Sequence, residues 1–116
     1  MGIPSASGSE VLKSITQSIT TAYTLTPTDD HIYTILNIIF KNNHGSSAHF
    51  DMEVSTDNGS SYIWLLEAQS FSQDQTFVWS DRFVLSDNTA RLRITGNGSD
   101  NLHFMINYID QDWTTA

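Results

Sequence analysis

The sequence predicts an all-β fold: an antiparallel β-sandwich of jelly-roll type with about eight strands and an extended N-terminal arm. Three observations carry this. Thr, Ile, Val, Tyr, Phe and Trp dominate short runs from Val11 onward, and these residues suit a pleated, half-buried surface. Asn, Asp, Gly and Ser interrupt the runs at spacings of roughly ten residues, as sandwiches require. No gap between the runs is long enough for a crossover helix, which excludes a parallel sheet.

Residues 1–10 are small and polar, with Ile3 and Pro4 among them, and read as the arm. The sandwich is expected over 11–110 and a short tail over 111–116. Strands are expected near 11–19, 22–25, 32–42, 48–56, 61–67, 76–79, 90–96 and 101–110. The first has a helical rival, because Ser7 and Glu10 stand at capping-box spacing and Leu12, Ile15 and Ile19 roughly trace a stripe. Its Ser, Thr and Ile content favours a strand. Pro27 with Thr28, Asp29 and Asp30 marks the turn before the longest strand. Asn43 to Ser47 and Gly96 to Asp100 read as longer hairpin connections. Asn58-Gly59, after Asp57, suits the positive φ angles of a type I′ turn.

Alternation assigns faces. Ala48, Phe50, Met52 and Val54 share one side of their strand, Ala90, Leu92 and Ile94 that of theirs, and Leu102, Phe104, Ile106 and Tyr108 that of the last. Two strands resist this. In 32–42, Ile32, Leu36, Ile38 and Phe40 fall on one face while Tyr33, Ile35 and Ile39 crowd the other. In 61–67, Tyr62, Trp64 and Leu66 oppose Ile63 and Leu65. Both are expected to need a second cover, from an arm, a loop or a neighbouring subunit.

Composition narrows function. The 116 residues suffice for one domain. The chain has no cysteine, so disulfides, thiolate metal sites and cysteine nucleophiles are excluded. Five Lys and Arg against thirteen Asp and Glu give a net charge of −8, which opposes nucleic-acid binding. Apolar runs such as Ile38 to Phe40 are too short for a bilayer, and Met1 to Gly8 lacks the pattern of a secretory leader.

No catalytic constellation is visible, and no enzyme activity or cofactor is expected. Asp29 and Asp30 are neighbours on opposite faces of an extended chain, so they make no acid–base dyad. A cation site with Asp57 or Asp100 is conceivable, but turn chemistry explains them better. His31, His44, His49 and His103 have no metal-ligand spacing. Gly96 to Ser99 precedes a strand and lacks a lysine, unlike a phosphate loop. The sequons at Asn58 and Asn97 read as turns. Aromatics such as Trp64, Trp79 and Tyr62 suit either a sugar platform or a packed interface. Trp113, beyond the last strand, is expected to pack on the domain's rim or on a neighbour.

The order of segments also resembles a family of small bacteriophage virion proteins. The resemblance is carried by Ala22-Tyr23-Thr24-Leu25-Thr26-Pro27, the long strand ending Lys41-Asn42-Asn43, and the hairpin Asp57-Asn58-Gly59. It continues in Phe83-Val84-Leu85-Ser86-Asp87-Asn88 and the closing strands Arg91 to Thr95 and Leu102 to Ile109. Asp87-Asn88 departs from the family's usual Gly-Asp, and Trp79 is bulkier than the family pattern. The resemblance implies a repeated, non-enzymatic surface element of the particle, assembled in the host cytoplasm. It would be a capsid decoration or cement protein, homo-oligomeric and preferably trimeric, contacting the major capsid protein or other virion proteins. A tail, collar, baseplate or fibre module is the alternative, and a carbohydrate-binding module a third reading. The expected interface residues are Ile3, Pro4, Tyr33, Ile35, Ile39, Trp64, Trp79 and Trp113.

Overall fold

A computed structural model of the chain describes residues 10–19, 21–43, 47–96 and 102–113. They form nine strands: β1 (Glu10–Ile19), β2 (Ala22–Leu25), β3 (His31–Asn42), β4 (Ala48–Ser55), β5 (Ile63–Phe71), β6 (Thr76–Trp79), β7 (Phe83–Ser86), β8 (Arg91–Gly96) and β9 (Leu102–Asp112). No helix long and apolar enough to cross a membrane occurs among the described residues. Glu10, expected in the arm, opens β1, and the last strand runs to Asp112 rather than ending at 110. Ile3 and Pro4 lie outside the described residues.

The strands make two antiparallel sheets. One has the order β1-β9-β3-β6, with β7 also pairing β3; the other has the order β2-β8-β4-β5. Successive strands therefore alternate between sheets except at β4–β5 and β6–β7, which is jelly-roll wiring. The ninth strand has a simple origin. β6 pairs with Ile38–Lys41 and β7 with Ile32–Ile35, so together they form one edge of β3 broken at Ser80–Arg82.

The inner faces meet over an aromatic core. Phe40 of one sheet stacks on Phe50 of the other with ring centroids 4.3 Å apart, and Phe71, Phe77 and Phe104 pack around them. The inward rows expected for β4, β8 and β9 are the rows found.

The double-faced strand β3 is resolved by a bulge. Ile35 pairs with Tyr108 and Asn37 with Asn107, so two steps along β3 match one along β9. The extra residue shifts the side-chain parity. Tyr33 and Ile35 point inward before the bulge, and Ile38, Phe40 and Asn42 after it. The expectation that Tyr33 and Ile35 face a partner is thus corrected: both are buried in the protein's own core, at 6% and 0% exposure. The second cover they seemed to need is the opposite sheet.

Strand β5 behaves similarly. Trp64 pairs with Glu53 and Leu66 with Met52, again two steps against one, so the two side chains do not share a face. A second irregularity falls at Ala68, whose φ is +49° and whose N–H donates to Asp51 Oδ1 at 2.6 Å. The β4–β5 connection has the expected turn. Asn58 and Gly59 both have positive φ, at 63° and 81°, and Ser60 N–H donates to Asp57 O at 3.2 Å. A side chain at Gly59 would meet Arg91 and the Tyr62 hydroxyl at 3.1 Å, so conformation and space both select glycine.

Candidate interaction surface

The outer face of the five-stranded sheet is ordered in transverse rows, because residues opposite one another in a ladder share a face. Leu12, Ile109, Thr34 and Val84 form one row. Thr16, Met105, Ile39 and Val78 form another. Between them runs a polar row in which Ser14 Oγ donates to Asn107 Oδ1 and Asn107 Nδ2 donates to Asn37 Oδ1, both at 2.6 Å. Ile39 and Met105 line a shallow depression of about 660 Å3, rimmed by Thr16, Ser18, Lys41 and His103.

The large apolar side chains that remain exposed are not spread evenly. Among the described residues there are six: Val11, Leu12, Ile63, Trp64, Val78 and Val84, ranging from 47% exposed for Val11 to 75% for Ile63. Every one lies on an edge strand: β1, β5, β6 or β7. The central strands β3, β4, β8 and β9 carry none. Val54, Ile63, Leu65, Phe83 and Val84 line a groove of about 270 Å3 where the β5 and β7 edges face each other. The exposed apolar side chains are thus gathered at the β1 edge and at the β5 and β6–β7 edges. Apart from Trp64 and Ile63, which share the double-faced strand, these residues escape sequence reasoning, because an alternation pattern does not say which strand stands at an edge.

The outer face of the four-stranded sheet has a different character. Arg93 Nη2 and Nε donate to the two carboxylate oxygens of Glu53 at 2.8 and 3.3 Å, and the guanidinium lies 3.8 Å from the centre of the Tyr62 ring. The bond to Glu53 raises the Arg93 pKa. Trp64 stands beside Glu53 in the ladder, 55% exposed.

The other expected interface residues are placed as follows. Ile39 is half-buried in the outer row. Trp79 is half-buried and meets Phe83 edge-on at 6.4 Å. Trp113 is half-buried, its backbone N–H donating to Asp30 O at 2.8 Å, so it packs at the rim of its own domain. The indole nitrogens of Trp79 and Trp113 are buried and have no hydrogen-bond partner among the described residues.

Polar chemistry collects at one end of the sandwich. Lys13 Nζ donates to Asp110 Oδ2 at 2.7 Å, and His31 Nδ1 lies 2.6 Å from Asp110 Oδ1. The carboxylate holds the Lys13 pKa up. The three residues are distant in sequence and only the β1–β9–β3 ladder joins them. Burial raises the Tyr108 hydroxyl pKa, with the Tyr33 ring tilted against it at 4.7 Å. Asp29, Asp30 and Asp87 place carboxylate oxygens within 4.8 Å of one another. Asp30 and Asp87 raise the Asp29 pKa, while the backbone N–H groups of Asp30 and Asn88 lower that of Asp87. Asp57 is elsewhere, capping its own turn through Ser61 and Ser55. The conceivable grouping of Asp29 and Asp30 with Asp57 therefore does not form, and Asp100 lies outside the described residues.

No family model matches this chain, and no curated protein matches it. Solved structures do. A chain of the CBM22-1 and GH10 modules of Clostridium thermocellum endo-1,4-β-D-xylanase 10B, complexed with xylohexaose, aligns with a TM-score of 0.53 at 10% identity, over 87% of this chain and 24% of that one. A Bacillus endospore appendage protein, which forms pili, aligns with a TM-score of 0.50 at 14% identity, over 91% and 90%. A pentameric capsid protein from metagenomic phage sequences gives 0.44 at 14% identity, over 85% and 61%. The chain thus spans about a quarter of the xylanase and under two-thirds of the capsid protein. At such identities the likeness is one of fold, a sandwich also present in the xylanase and appendage chains.

Proposed function

We propose that this chain is a virion structural protein that works by binding alone, a capsid decoration or cement protein bridging capsid subunits on the particle surface. The observation that supports this reading most directly is the confinement of exposed apolar side chains to edge strands. A jelly roll with sealed central strands and greasy edges is suited to lateral contact with other protein surfaces. The sequence resemblance to small phage virion proteins points the same way. In this reading the protein assembles in the host cytoplasm as a homo-oligomer, preferably a trimer, over junctions of the major capsid protein. Many weak copies together stabilise the shell, because repeated contacts act jointly. Counting copies in purified particles tests it. Hundreds per particle are expected, whereas tens or fewer would assign the chain to tail, collar, baseplate or fibre.

A second reading rests on Trp64. An exposed indole beside the Tyr62–Arg93–Glu53 cluster is the kind of surface on which a sugar ring stacks. Titration with xylohexaose, followed by tryptophan fluorescence, tests it. A saturable change in the native chain that is lost in Trp64→Ala would favour carbohydrate binding over assembly.

A further inference from the structure

We infer that copies of this chain associate head to tail, the β1 edge of one seating on the β6–β7 edge and adjoining groove of the next. The inference rests on the assembly reading above and adds one partner, a second copy, and the polarity of the contact.

The strand order supplies the geometry. In the five-stranded sheet β1, β9, β3 and β6–β7 follow one another antiparallel, so the two outer edges run in opposite directions. A neighbour related by simple translation, or by rotation about an axis along the strands, then presents its β1 antiparallel to β6–β7. The sheet continues from copy to copy with its outer face still outward. Leu12 and Val84 are the two ends of one transverse row, so that row also runs on across the junction.

Surface chemistry fits the same arrangement. Val11 and Leu12 are exposed on one edge, and Ile63, Val78 and Val84 on the other, where the apolar groove opens. Among the described residues the β1 edge is unguarded. It has ten residues without proline, and its one lysine, Lys13, is turned onto Asp110 instead of projecting to bar another strand. A two-fold pairing of β1 with β1 would leave the groove, Ile63 and Val84 uncovered. The head-to-tail contact covers both patches and, being heterologous, closes a ring or grows a filament according to the rotation per step.

The test uses two edge variants of the full chain, Leu12→Lys and Val84→Lys, with circular dichroism to establish folding; Leu12→Gln and Val84→Gln replace either lysine variant that misfolds. Sedimentation should show the native chain associating and each variant alone at least tenfold weaker. An equimolar mixture should give a one-to-one heterodimer, since each variant supplies the edge the other lacks, and should go no further. A mixture that stays monomeric while the native chain associates overturns the inference, as does a Val84→Lys variant that associates normally. A native chain that remains monomeric at millimolar concentration also overturns it. A high copy number in particles would then leave the proposed virion role standing, so the two failures are distinguishable.

Discussion

Ile35 and Asn37 stand two residues apart on one strand yet point to opposite sides of the sheet. Ile35 is fully buried against the opposite layer, while Asn37 accepts a hydrogen bond from Asn107 on the outer face. The extra residue at Leu36 is what separates them. Deleting Leu36 removes the parity change and forces one half of β3 to turn its apolar row outward. We expect this deletion to cost more than about 3 kcal/mol in urea unfolding, against about 1 kcal/mol for Leu36→Ala. Equal effects would show that the bulge does not set the register.

The Phe40–Phe50 stack joins the two layers at the centre of the core. Phe40→Ala should lose about 3–5 kcal/mol through lost burial and the remaining cavity. Its neighbour Ile39, half-buried on the outer face, should lose under about 1 kcal/mol on truncation. Denaturant midpoints of the two variants check the difference.

Asp57 makes a pH prediction. Hydrogen bonds from the Ser61 hydroxyl and N–H, and from Ser55, hold its pKa down at about 2. A folded pKa below the unfolded value, near 3.9, gives stability that is complete above the unfolded value. That stability is lost as pH falls toward the folded one. The native chain should therefore weaken between about pH 4 and pH 2 more steeply than Asp57→Asn, as read from thermal midpoints. Parallel curves would show that the turn carboxylate is not coupled to folding.

Arg93 forks onto a largely buried Glu53 and lies over Tyr62. Removing the arginine leaves the carboxylate without its partner. Arg93→Ala should cost about 2 kcal/mol, below the range for a fully buried pair because the guanidinium is partly exposed. Arg93→Lys should recover only part of this, since a lysine keeps the charge but neither the fork nor the planar stacking. Full recovery in urea unfolding would reduce the interaction to charge alone.

Much of the fold was legible in the chain because period-two alternation and turn chemistry are local. The inward rows of β4, β8 and β9 and the type I′ turn at Asn58-Gly59 depend on neighbours in sequence, and all are found. The faces of β3 and β5 were misread for the same reason. A bulge changes parity through a mismatch with another strand, and nothing in the Ile35-Leu36-Asn37 run announces it. The candidate surface was legible only at Trp64 and Ile63, on a strand apolar on both faces, and, in the half-buried outer row, at Ile39. Val11, Leu12, Val78 and Val84 look like ordinary strand residues until their strands are known to be edges.

The amino-acid order by itself determined an all-β chain without cysteine, its acidic balance, the positions of eight of the nine strands and most of the core rows, because each follows from short-range pattern or composition. The tertiary structure decided which strands stand at the edges, where the bulges turn a side chain over, and that Lys13, His31 and Asp110 meet. Those outcomes depend on pairing between segments up to 101 residues apart, and such pairings are chosen by the packing of the whole sandwich.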